Sequence, residues 1–209
     1  MTFIIAVCGT MGSGKTTVVE NVAAALADCE VLFEDDYNRT TERSLDQIDR
    51  WWQQGADVGD FDLSALIKQL QTRCPDKVES SPSEHVSSRH RTPQIILLET
   101  HFGRLHPVLR LWIDYQVWID TPADIAVMRK VAQFSSAMRD PSNGSPAEGL
   151  RWIEEFCRGY LTTTRKLFEM QRHAVREQSD LSIDGQGAPF EVATLFLQNL
   201  PERFRPDPF

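Results

Sequence analysis

The chain holds no apolar run approaching the roughly 18 residues that a membrane-spanning helix needs, so a membrane protein of that kind is excluded. Its first apolar stretch, Phe3 to Cys8, follows no basic segment and is too short for a signal peptide, which makes the cytoplasm the expected compartment. Cysteine is sparse: Cys8, Cys29, Cys74 and Cys157 form no CxxC pair and lie at no metal-ligand spacing to a histidine. A disulfide framework and a zinc site are therefore not expected. Positive charge is in deficit, with 22 Lys and Arg against 30 Asp and Glu and a formal charge of −8, so no broad basic face for nucleic acid is expected. Internal repeats and low-complexity tracts are absent as well. What remains is the composition of one globular domain, 209 residues long and 41% hydrophobic. A chain of this size buries roughly 70% of its unfolded surface and needs no staple to hold its core.

The order of elements points to a three-layer α/β fold, a parallel sheet of about five strands flanked by helices. Phe3-Ile-Ile-Ala-Val-Cys8 is a β-branched run ending in glycine, as expected of a strand buried on both faces. Val18, Val19, Val22, Ala23 and Leu26 then recur at helical spacing. Further strands are expected at Glu30 to Phe33, Gln94 to Leu98, Tyr115 to Ile119 and Leu181 to Ile183. Ser44 is a candidate helix cap, Asp62 caps a helix with a Leu63, Leu66, Ile67, Leu70 stripe, and Thr121 with Pro122 opens another. A long helix is expected from about Glu148 to Gln178, and a closing one from Phe190 to Leu200. Within a single domain spanning residues 1–209, three irregular parts stand out. They are a polar, Ser- and Pro-rich surface excursion at about 73–93 that could carry a β-hairpin, a mobile lid at about 129–147, and a loose Pro-rich tail at 201–209.

The strongest chemical signal is Gly9-Thr10-Met11-Gly12-Ser13-Gly14-Lys15-Thr16, which satisfies G-x-x-x-x-G-K-[ST] between a predicted strand and a predicted helix. Glycines let successive backbone N–H groups turn toward phosphate oxygens, and the following helix adds the positive end of its dipole. Lys15 supplies a charge for the β and γ phosphates, and the Thr16 hydroxyl is a ligand for Mg²⁺. No Asn-Lys-x-Asp exists to read guanine, which argues against a switch GTPase, and the chain is small for a motor. Small-molecule phosphotransfer fits best. Arg129, Lys130 and Arg139 bracket the lid, where cations could stabilise a transferring phosphoryl group while water is shut out.

The ordered pieces resemble the uridine kinase and phosphoribulokinase family, which includes the nicotinamide riboside kinases. Phe3 to Thr17 is similar to its opening strand and loop, and Glu34-Asp35-Asp36-Tyr37 to its Asp-containing segment after the second strand. Ile95-Ile96-Leu97-Leu98-Glu99 resembles a strand that ends in Glu-Gly in the family, with Thr100 here in the glycine's place. Trp118 to Asp124 followed by Met128-Arg129-Lys130 is similar to the family's Asp-bearing turn and Arg-bearing lid helix. The resemblance implies an ATP- and Mg²⁺-dependent kinase in which Asp35 takes the acceptor's proton and touches the metal shell. It also implies that Glu99 orients a metal-bound water and that Arg165, on the long helix, meets acceptor or lid. Asp36 competes with Asp35 for the role of base, since one carboxylate near the hydroxyl suffices.

The expected partner is a small molecule bearing a hydroxyl, most of all a nucleoside-like one such as uridine or nicotinamide riboside, with neither nucleic acid nor membrane involved. Homo-oligomerisation is left open. Aromatic residues are missing from Val78 to His85, while Tyr37, Trp51, Trp52 and Phe61 could stack a base from the other wall. Adjacent tryptophans are more often core. His101 could bind a substrate hydroxyl or phosphate, although a single histidine at a strand end is usually structural. Two alternatives accompany this reading: a kinase of pantothenate, a sugar or a sugar acid, and a nucleotide-binding regulator with little turnover.

Overall fold

A computed structural model describes residues 2–37, 45–77 and 94–205. Five parallel strands, β1 (Phe3–Cys8), β2 (Cys29–Phe33), β3 (Ile95–Glu99), β4 (Tyr115–Asp120) and β5 (Leu181–Asp184), form one sheet in the order β2-β3-β1-β4-β5. Their connections carry the helices α1 (Lys15–Ala25), α2 (Leu45–Gln53), α3 (Ser64–Arg73), α4 (Ala123–Ala137), α5 (Pro146–Gly159) and α6 (Arg165–Met170), and α7 (Pro189–Gln198) follows β5. This is the expected three-layer arrangement.

Period-two alternation along the central strands separates two cores. Ile4, Ala6 and Cys8 of β1 point to the side where Leu66 and Leu70 of α3 pack, with Trp118 and Leu98. Ile5 and Val7 point to the opposite side, against Val18, Val19 and Val22 of α1 and Val192 and Phe196 of α7. A buried side chain of this type contributes roughly 1.5–3 kcal/mol relative to an exposed one, so the sheet is fixed from both faces. All strands run the same way, and their C-terminal ends lie along one edge, where open α/β sheets hold ligands.

Several local expectations are corrected. Thr121 does not cap α4, because its hydroxyl donates instead to the Ser13 carbonyl at 3.0 Å and Pro122 occupies the cap position. Asp62 acts one position before the cap of α3, accepting from the Ser64 backbone N–H at 2.9 Å. α4 continues through Ala137, so much of the lid span is helical and the connection to α5 is only the stretch 138–145, closed by a capping box between Ser145 and Glu148. The long helix runs from Pro146 to Gln178 but widens into π-helical turns at Tyr160–Thr164 and Gln171–Val175. Residues 201–205 are packed and not loose: Phe204 stacks on Phe3 with centroids 4.5 Å apart, and the Arg203 guanidinium lies over both rings. The Ser44 cap, the excursion over 78–93 with its hairpin, and the tail 206–209 lie outside the described residues. Among the described residues no helix is long and apolar enough to cross a membrane.

Candidate active site

The loop between β1 and α1 has the geometry its glycines permit. Gly12 and Gly14 adopt φ of +78° and +97°, where a side chain is strained, and α1 starts at Lys15 with no acidic residue in its first turn. The positive end of the helix dipole is therefore not offset locally and faces the loop. Lys15 is buried, and its Nζ donates to the Thr10 carbonyl at 3.3 Å and lies 3.7 Å from Glu99 Oε1. The hydroxyls of Thr10 and Ser13 are buried without a partner among the described residues. From behind, Thr121 holds the Ser13 carbonyl, and Arg129 ties the loop to the β5–α7 turn through Gly185 O at 2.8 Å and Gln186 O at 3.2 Å.

A cavity of about 590 Å³ opens in front of this loop. Met11, Gly12, Gly14, Lys15, Thr16 and Thr17 line one wall. Asp35, Glu99 and His101 line a second, and Arg129, Lys130 and Gln133 of α4 a third. A smaller pocket of about 190 Å³, sharing Thr16, Asp35, Glu99 and His101, adds Glu34, Asp36 and Thr100. Strand pairing explains the convergence, since Phe33 is level with Glu99 across β2 and β3, which brings Glu34 beside Thr100.

Glu34 is the carboxylate that sequence reasoning passed over. It is 2% exposed, its Oε2 accepts from the Thr100 hydroxyl and from the His101 N–H at 3.1 Å, and its Oε1 has no partner among the described residues. The inward alternation from Leu32 to Glu34 was the available signal, obscured by the two acidic residues that follow. Asp35 is half-exposed, and its Oδ1 lies 3.0 Å from His101 Nε2. That hydrogen bond holds the Asp35 carboxyl below the usual carboxylate range; burial opposes the shift, and the charges of Lys15 and Lys130 add to it.

A third cleft, about 170 Å³, adjoins the other two at Met11 and His101. Its walls are Trp51, Phe61, Phe102 and Phe168, with Thr164 and Gln171 supplying polar groups from the long helix. Trp51 and Phe61 meet edge to face at 5.3 Å, Phe61 stacks on Phe102 at 4.8 Å, and Trp51 Nε1 donates to the Asp57 carbonyl at 2.8 Å. These rings are thus both core and cleft wall. Phe102, Phe168 and Gln171 went unnoticed in the sequence, where nothing in their spacing links them.

The remaining candidates fall elsewhere. Tyr37 packs against the core beneath the sheet instead of lining a cavity, and Asp36 is exposed at the rim of the acidic pocket. Arg139 is exposed on the turn after α4 and lines none of the three cavities; Arg165 is exposed and paired with Glu169 at 3.3 Å, turned away from the cleft.

No family model matches the chain. Uridine kinases of Staphylococcus aureus strains JH9 and Newman are 25% identical over 211 aligned residues, covering 95% of this chain and 97% of theirs. The chain is a P-loop small-molecule kinase. A sugar kinase from Janibacter sp. HTCC2649, solved without ligand, superposes with a TM-score of 0.50 at 19% identity, covering 99% of this chain and 97% of that one, and shares its fold.

For a kinase of this fold the oxygen-rich pocket suits a hard divalent cation. Glu99 Oε2 and Glu34 Oε1 are buried oxygens without a partner among the described residues, and the Thr16 hydroxyl lines the same pocket. No group of three or more His, Cys, Asp or Glu side chains among the described residues could hold a metal by itself. That donor set fits Mg²⁺, which usually binds through one or two protein oxygens together with substrate phosphates and water.

Proposed function

We propose that this kinase transfers the γ-phosphate of ATP to a hydroxyl of a small, nucleoside-like acceptor in the cytoplasm, with Mg²⁺ bound at Thr16 and Glu99. The observation that carries the reading is that Lys15, Asp35 and Glu99 line one cavity that meets an aromatic cleft at Met11 and His101. The loop amides and Lys15 hold the β and γ phosphates, and Mg²⁺ supplies neutralisation of phosphate charge. The acceptor's ring stacks in the cleft between Trp51 and Phe168, which directs its hydroxyl toward Asp35. Asp35 accepts the hydroxyl proton, the acceptor oxygen bonds to the γ-phosphorus, and the bond from that phosphorus to the bridging oxygen of ADP breaks. Lys130, on the wall opposite Asp35, is the cation of α4 best placed to offset charge on the moving phosphoryl group.

ADP release measured with a panel of nucleosides, ribosides, sugars, sugar acids and pantothenate tests the reading. Release that depends on a nucleoside or riboside is the expected result. Release with only sugars, sugar acids or pantothenate overturns the acceptor class, and silence across the panel overturns the proposed transfer.

A further inference from the structure

His101 is the only residue that lines all three cavities among those described, and its main chain is anchored from two sides. The His101 N–H donates to Glu34 Oε2 at 3.1 Å, and its carbonyl accepts from Gln171 Nε2 at 3.0 Å. Both anchoring side chains are 2% exposed. Glu34 is itself steadied by the Thr100 hydroxyl, which in turn accepts from the Gly103 N–H at 3.2 Å. Gly103 sits at φ +50°, and a Cβ there would fall 2.2 Å from Gln116 Oε1, so the turn that carries His101 has one compact path. These anchors are too elaborate for a surface histidine whose side chain has nothing to do. They fix the imidazole, 17% exposed, with Nε2 3.0 Å from Asp35 Oδ1.

Asp35 makes this contact and lines both the cavity before the loop and the acidic pocket, whereas Asp36 lines only the latter. Both are exposed carboxylates of one short turn, Glu34–Asp36, and a carboxylate free to rotate spends little time aimed at a given hydroxyl. We propose that His101 is a positioning residue that holds Asp35 by Oδ1 and leaves Oδ2 for the acceptor hydroxyl, which makes Asp35 and not Asp36 the general base. The inference rests on the kinase reading above. It gives the Thr100-His101 turn a purpose: the larger residues after Glu99 build a support for the base instead of opening the pocket. The same imidazole forms part of the aromatic cleft's mouth, so an acceptor seated there reaches Asp35 along the ring that orients it.

The test uses the full-length chain, MgATP and an acceptor found active in the panel. His101→Ala should lower kcat about tenfold, the scale of a misplaced catalytic group, with the KM for ATP within about twofold of wild type. His101→Gln, which keeps an N–H donor at similar reach, should recover most of the loss. A structural defect would not be rescued selectively and would move KM for ATP as well. Independently of turnover, the ¹⁵N resonances of the His101 ring should shift in Asp35→Asn and stay in place in Asp36→Asn. Unchanged kcat in His101→Ala, no recovery in His101→Gln, or a ring insensitive to Asp35→Asn overturns the proposal while leaving the kinase reading intact. Wild-type silence toward every acceptor overturns the kinase reading itself, and the assignment of a base with it.

Discussion

Gly12→Ala isolates the seating of the phosphate loop against α4. A Cβ at residue 12 would lie 2.1 Å from the Ala126 carbonyl oxygen and 2.9 Å from its carbon, whereas ordinary contact begins near 3.4 Å. The obstacle is helix backbone in the first turns of α4, which cannot rotate aside as a side chain would. Loop or helix must yield by about 1 Å, and displacement on that scale is enough to cost on the order of a hundredfold in rate. The φ of +78° adds backbone strain of about 1–2 kcal/mol for any residue with a Cβ. If two of the loop's N–H groups lose their phosphate oxygens, at about 1.5 kcal/mol each, the loss is about 3 kcal/mol, or roughly a hundredfold in Kd. Isothermal calorimetry with MgATP reads the affinity directly, and thermal unfolding reads the strain. Gly55→Ala is the matched control: its φ is +104° but nothing lies within 4 Å of the added carbon, so it should lower stability by about 1 kcal/mol and leave ATP affinity alone. A Gly12→Ala protein that binds MgATP with wild-type affinity would falsify the claim that α4 sets the loop's position.

Lys15→Met should abolish measurable MgATP binding in the same calorimetric assay, and it should also destabilise the fold because Glu99, 13% exposed, loses its counter-charge; a variant that binds normally removes Lys15 from the phosphate site. Arg129→Lys cannot reproduce the forked donation to Gly185 and Gln186, so the KM for ATP should rise by about tenfold with kcat less affected; an unchanged KM means the tether is dispensable. Trp51→Ala should cost about 3–5 kcal/mol in chemical denaturation and abolish acceptor use, whereas Trp51→Phe should keep the fold; equal stability of Trp51→Ala and wild type would show that the ring is not core. Burial raises the Cys8 and Cys74 thiols, and holds Cys29 at about 11, so a thiol reagent at neutral pH should modify exposed Cys157 first and reach Cys8 and Cys74 only on unfolding; rapid loss of four thiols from native protein contradicts the packing.

The nucleotide end of this molecule was readable in one dimension because its chemistry lies in consecutive residues. A loop that must turn backbone N–H groups inward needs glycine where φ is positive, and Gly12 and Gly14 occupy those positions. The buried strands were readable for a similar reason, since β-branched runs such as Ile95 to Leu98 declare burial on both faces. Where one-dimensional reading failed, a tertiary partner outbid a local rule. Thr121 precedes Pro122 as an N-cap should, yet its hydroxyl is taken by Ser13, more than a hundred residues away in sequence. The Pro-rich end has the composition of a loose tail, yet Phe204 finds Phe3 at the N-terminal end of the central strand. Arginine is the extreme case, because its long stem hides its destination: Arg129 and Arg139 were both expected at the lid and Arg165 at acceptor or lid, and of the three only Arg129 lines the cavity before the loop.

The proposed acceptor side is illegible for a deeper reason. Its cleft is assembled from residues 48–61, the turn at 101–102 and the stretch 164–171, none of which carries a motif of its own. Each segment reads as amphipathic core, and each is core: Trp51, Phe61 and Phe102 pack on one another as well as facing the cleft. Two π-helical turns in the long helix flank α6 and bring Thr164 and Gln171 to the cleft, and no sequence period announces such turns. The join between the readable and unreadable halves is His101, whose imidazole touches Asp35, the proposed base that the sequence suggested, and whose main chain is held by Glu34 and Gln171, two residues that it did not. On the proposed reading, substrate choice and phosphate chemistry meet at this side chain, and changes to that turn should alter which acceptor is used before they alter how ATP is held.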